Sequence, residues 1–99
     1  MQIHITGRHV EITDGIREHV YDKVERTLAD FPRVEDVRVV LDLQKLIHFA
    51  EVLVQGKNIH VEAKSESENM YTSIDEALDK AERQLRKLRE KVQDHHHTK

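Results

Sequence analysis

The chain contains no cysteine and no tryptophan, a single proline, three glycines and only 4% aromatic residues. Without cysteine there can be no disulfide, no thiolate metal site and no cysteine nucleophile. Gly7, Gly15 and Gly56 stand far apart, so no glycine-rich phosphate loop is present. Ser65, Ser67 and Ser73 have no neighbouring nucleophile motif, and no carboxylate pair marks a cleft. The sequence therefore reads as non-enzymatic and without a cofactor. No apolar run approaches the roughly 20 residues of a membrane span, and Met1 leads straight into an alternating segment rather than a secretory signal. The expectation is a soluble, cytoplasmic protein with no membrane partner and no small-molecule substrate.

What is present fits one domain. The 99 residues are 37% hydrophobic, enough for a real but thin core. We expect that domain over residues 1–93, followed by a polar, frayed, histidine-containing tail over 94–99. The formal charge of -3 argues against non-specific coating of nucleic acid, which usually requires a basic protein. The distribution is more informative than the total. From Glu62 to Asp79 six acids face the single base Lys64, whereas from Lys80 to Gln93 six bases face only Glu82 and Glu90. The first stretch repels phosphate and the second attracts it.

Alternation of Ile3 and Ile5 with His4 predicts a first strand. Thr13 or Asp14 can cap a helix whose apolar positions Ile16, Val20, Val24, Leu28 and Phe31 recur at helical spacing, with Pro32 blocking continuation. Val37, Val39, Leu41 and Leu43 alternate as a second strand, Ala50, Val52 and Val54 as a third, and Ile59, Val61 and Ala63 as a fourth. A turn begins at Lys45, and Gly56 is expected to supply the permissive backbone of the next hairpin. Ile74, Ala77, Leu78, Ala81, Leu85, Leu88 and Val92 then form one helical stripe. Consecutive strands joined by short turns pair antiparallel, and a one-sided apolar sheet needs covering. The predicted fold is α+β, in the order β-α-β-β-β-α, with a four-stranded sheet and both helices on one face.

On the second helix, Lys80, Arg83, Lys87 and Lys91 are spaced three, four and four apart, which stacks four cations beside the apolar stripe. This ribbon can attract phosphate, or it can be an ordinary solvated face. Arg86 sits instead between Glu82 and Glu90, where it reads as a local ion-pair partner. On the first helix His19, Lys23, Arg26 and Asp30 share a face, and two helices lying side by side could merge both faces into one groove. Arg8 and Arg33 are weaker candidates to extend it. His4, His9, His19, His48 and His60 lack metal-motif spacing, so no metal site is assigned. His95–His97 can bind metal adventitiously or belong to a purification tag. Tyr71 and Phe49 could stack on unpaired bases, but packing is the favoured reading, with Met70 and Tyr71 stapling the first turn of the second helix.

The run Glu68-Asn69-Met70-Tyr71-Thr72-Ser73-Ile74-Asp75, followed by Asp79-Lys80-Ala81-Glu82-Arg83-Gln84-Leu85-Arg86-Lys87, resembles the signature of the hibernation promoting factor and ribosome-associated inhibitor family, formerly described as sigma-54 modulators. Ile5-Thr6-Gly7, Val10-Glu11-Ile12-Thr13 and Ile16-Arg17-Glu18 resemble its beginning. The resemblance implies a fold like the double-stranded RNA-binding domain with an extra first strand. It further implies a partner, the small ribosomal subunit with its 16S rRNA, and a site in the messenger channel overlapping the tRNA sites, where the block is steric. The positions matching the family's basic residues are Lys80, Arg83, Lys87 and Arg89, with Lys23 and Arg26 from the first helix. With the ribbon's Lys91 these are the expected rRNA-binding residues. The chain resembles the short form of the family, which is associated with ribosome dimers through a separate modulation factor. Asn69 departs from the acid frequent at its position. Two rival readings remain: a general double-stranded RNA-binding module, and a protein-interaction modulator of transcription.

Overall fold

The computed structural model describes the backbone of residues 1–97 and the side chains of residues 1–90. Its elements are β1 (Gln2–Arg8), α1 (Asp14–Thr27), β2 (Val34–Gln44), β3 (Ile47–Gly56), β4 (Ile59–Ser67) and α2 (Met70–His97). The four strands form one sheet in the order β1-β2-β3-β4. β1 pairs parallel with β2, as a crossover through α1 allows, and the two hairpins make the remaining pairings antiparallel.

Period-two patterning becomes a core because the register aligns it. Ile3 lies opposite Val37, Val37 opposite Val54 and Val54 opposite Val61. The next row runs Ile5, Val39, Val52 and Ala63. From β2 to β4 these positions are buried, and β1 contributes half-buried isoleucines at the sheet's edge. Both helices cover this face, with Ile16, Val20 and Val24 from α1 and Ile74, Ala77, Leu78, Ala81 and Leu85 from α2 buried against it.

Local chemistry fixes the ends. The Thr13 hydroxyl accepts from the Ile16 amide at 3.1 Å, capping α1. The helix stops at Thr27, earlier than the apolar spacing predicts. Phe31 is buried from two successive turns, its own amide donating to Leu28 O at 3.0 Å and the Val34 amide donating to Phe31 O at 3.1 Å. At the start of α2, Asn69 Oδ1 accepts from the amides of Tyr71 at 2.9 Å and Thr72 at 3.4 Å. The buried Ser73 hydroxyl donates to His48 O at 2.7 Å, with Ser67 Oγ 2.6 Å away, so serines without a sequence motif anchor this helix to the ends of β3 and β4.

Expectations are also corrected at the β3–β4 turn and along the α2 stripe. The left-handed residue of the β3–β4 turn is Asn58, with φ of 61°, and not Gly56. Gly56 is needed for close approach instead, since a Cβ there would come within 2.1 Å of Arg33 O. The α2 backbone is helical through His97, with no proline or glycine to interrupt it. Finally, the buried part of the α2 stripe ends at Leu85; Leu88 is 36% exposed, and Val92 lies outside the described side chains.

Candidate nucleic-acid interface

The two helices run side by side in the same direction. His19 Nε2 lies 2.7 Å from Asp75 Oδ1, and one turn later Lys23 Nζ lies 3.1 Å from Asp79 Oδ1. Both contacts advance together along α1 and α2, which only a parallel pair allows. The seam between the helices is therefore built from bases on α1 and acids on α2. Lys23 is mostly enclosed there, its side chain 21% exposed. Tyr71, at the top of the seam, presents its ring edge-on to His19 at 4.9 Å while staying 43% exposed, so it packs less than expected.

The cation ribbon occupies the other flank of α2. Lys80 Nζ donates to Lys64 O at 2.8 Å, and Gln84 Nε2 donates to Glu62 O at 2.9 Å. Both acceptors lie on β4, an edge strand whose outer carbonyls no further strand satisfies. Lys80 thus serves the fold as well as the local potential. Arg83 and Lys87 are exposed and have no hydrogen-bond or ion-pair partner among the described residues, as is also true of Arg26 on α1.

The expected single groove lining does not form, because the acids Asp75 and Asp79 stand between Lys23 and the ribbon. Arg89 is also committed: its guanidinium stacks 4.7 Å over the Phe31 ring and donates to Asp30 O at 3.2 Å. Lys91 lies outside the described side chains. Arg8 points to the uncovered face of the sheet and Arg33 lies in the α1–β2 turn, so neither extends the ribbon. Arg86 pairs with Glu82 as its spacing predicts, and that hydrogen bond holds the guanidinium above its already high ordinary pKa.

The uncovered sheet face has the opposite character. The pleat places Asp36, Asp42, Glu51, Glu62 and Glu66 there with Arg8, Arg38 and Lys64. Asp36 binds both His4 at 3.0 Å and Arg38 at 3.1 Å, Asp42 binds His9 at 3.0 Å, and Lys64 binds Glu51 at 3.2 Å. Its cations are largely consumed by its own acids. Of the cations expected to bind rRNA, Arg26, Arg83 and Lys87, all on the helical side, have no hydrogen-bond or ion-pair partner among the described residues. None of the sequence signals separated the structurally committed cations Lys23, Lys80 and Arg89 from these three, because each partner comes from a distant part of the chain.

A family model described as sigma 54 modulation protein / S30EA ribosomal protein matches residues 3–93. The chain belongs to this family. A ribosome hibernation promoting factor of Pseudomonas putida is 39% identical over 93 residues, covering 94% of this chain and 91% of that relative. The Escherichia coli K12 protein of the same name is 37% identical over 95 residues, covering 96% of this chain and all of the relative. Among solved structures, a ribosomal subunit interface protein from Coxiella burnetii superposes with a TM-score of 0.85 at 27% identity, covering 90% of this chain and 98% of that one. The N-terminal domain of Thermus thermophilus Protein Y gives 0.81 at 33% identity, covering 89% and 99%. This family fold is the β-α-β-β-β-α arrangement described above, and Asn69 caps α2 through its side-chain oxygen in the way an acid at that position can.

Proposed function

We propose that this chain is a cytoplasmic ribosome hibernation factor that binds the small ribosomal subunit, in the messenger and tRNA channel, through the helical side of the domain. The observation carrying the reading is the pair Arg83 and Lys87, exposed on α2 and facing away from a sheet surface rich in carboxylates. Folded rRNA offers phosphates and 2′-hydroxyls in a fixed shape, so charge placement and shape locate the protein without base readout. The acidic sheet face disfavours the inverted orientation. Arg26 is a third contact, and Lys91, outside the described side chains, is a further one by its sequence spacing from Lys87. Lys23, Lys80 and Arg89 position these cations through the ties described above.

Occupancy of the channel excludes messenger and tRNA sterically, without a chemical step, and release follows competition rather than cleavage. The similarity to relatives named as ribosome hibernation promoting factors supports the hibernation role; we further propose that the chain promotes inactive ribosome dimers, with a separate modulation factor as second partner. The test is displacement: small subunits preloaded with messenger and tRNA are titrated with the protein. Loss of bound tRNA in proportion to bound protein is the expected result, and simultaneous stable occupancy by both would overturn the steric block.

A further inference from the structure

Beside the C-terminal end of α1 lies a groove of about 520 Å³ that the account above does not use. The α1–β2 connection, the β3–β4 hairpin and the part of α2 carrying Leu85, Leu88 and Arg89 form its walls. The apolar stripe of α2 outruns the sheet here. β4 begins at Ile59, so Leu85 is still covered whereas Leu88, one turn on, is 36% exposed. Ile59, Leu85 and Leu88 give the groove an aliphatic floor, and among the described residues Arg33, Lys57 and Arg89 line it against the single acid Asp30.

We propose that this groove docks an acidic protein segment which inserts an aliphatic side chain beside Leu88 and sets its carboxylates against Arg33 and Lys57. Apolar floors with charged rims are how helical and extended segments are captured, the floor giving affinity and the rim selecting sign. A nucleic acid is disfavoured by the same geometry. Among the described residues, the one aromatic ring of the groove, Phe31, already has its face covered by the Arg89 guanidinium at 4.7 Å and offers a base no free platform for stacking. Arg33 and Lys57 have no ion-pair partner among the described residues and are exposed, which leaves their charge available to an incoming carboxylate.

The test uses the full chain, isotope-labelled for amide NMR, and a short synthetic amphipathic helix with leucines on one face and glutamates on the other. Expected are saturable shifts confined to residues around Phe31, Lys57 and Leu88, absent with the matching leucine–lysine peptide. The substitution Leu88→Glu, at a position already exposed, weakens this binding by about tenfold or more while thermal unfolding stays unchanged. Lys57→Glu provides a second variant outside the helix. No shifts with the glutamate peptide, equal binding of the lysine peptide, or displacement of the bound peptide by duplex RNA would each overturn the assignment. So would a concentration-dependent dimer in analytical ultracentrifugation that Leu88→Glu abolishes, because the occupant would then be a second copy of this chain.

Discussion

Lys23 of α1 and Asp79 of α2 meet at 3.1 Å across the seam between the two helices, on the flank of α2 opposite Lys80. A lysine expected to face phosphate is thereby bound by a carboxylate of its own chain. Lys23→Met should lower stability by about 0.2–1 kcal/mol, the range for a partly exposed ion pair, and should reduce ribosome affinity less than loss of Arg83 and Lys87 together. Denaturant titration and subunit binding of the two variants check this, and a larger affinity loss for Lys23→Met would return it to the RNA contacts.

The apolar stripe of α2 divides between Leu85 and Leu88. Leu78 is fully buried, whereas Leu88 is 36% exposed. Leu78→Ala should cost about 2–5 kcal/mol, the transfer loss plus the cavity left behind. Leu88→Ala should stay within about 0.5 kcal/mol, as for a surface substitution. Urea unfolding midpoints of the two variants measure the difference.

Gly56 is fixed by a neighbour and not by its own dihedral. A Cβ at this position would meet the Arg33 carbonyl at 2.1 Å, a backbone atom that cannot rotate aside. Gly56→Ala should destabilise by more than about 1 kcal/mol, whereas Asn58→Gly, at the left-handed turn residue with φ of 61°, should be tolerated. Equal effects of the two changes would contradict this division of roles.

Asp42 supplies a pH dependence with a defined sign. The hydrogen bond from His9, assisted by Gln44 and the Leu43 amide, holds its carboxyl below the usual carboxylate range. A carboxyl depressed in the folded state stabilises the fold above its unfolded pKa, and that contribution is lost as pH falls through the folded value. His9→Ala should therefore narrow the gap between stability at neutral pH and stability below about pH 3. Thermal unfolding of wild type and variant at both pH values provides the comparison; an unchanged gap would remove this pair from the acid response.

Much of the architecture was legible from the sequence because β2, β3 and β4 keep an apolar residue at every second position of one face and α2 repeats its apolar residues without a breaker. The family was legible from residues 68–87 and the opening strand. The seam was not legible, since Asp75 and Asp79 look in sequence like part of a long acidic run; only the parallel packing of α1 and α2 sets them against His19 and Lys23. Lys80 and Arg89 were indistinguishable from Arg83 and Lys87 for the same reason. Helical spacing reports which residues share a face, but the carbonyl of Lys64 and the ring of Phe31 that engage them are brought close only by the tertiary fold. Gly56 was misread because a glycine beside a turn suggests dihedral freedom, and the close Arg33 carbonyl has no local signature.

The most direct test of the central claim is co-sedimentation with purified small subunits across a salt series, in the presence of excess duplex RNA, for the native protein and the Arg83→Ala, Lys87→Ala double variant. The account predicts saturable binding that duplex RNA does not displace, and a salt slope reduced by about 2 in the variant, roughly one per lost phosphate contact. Identical slopes and affinities for the two proteins, or no binding of the native chain even at low salt, would contradict it.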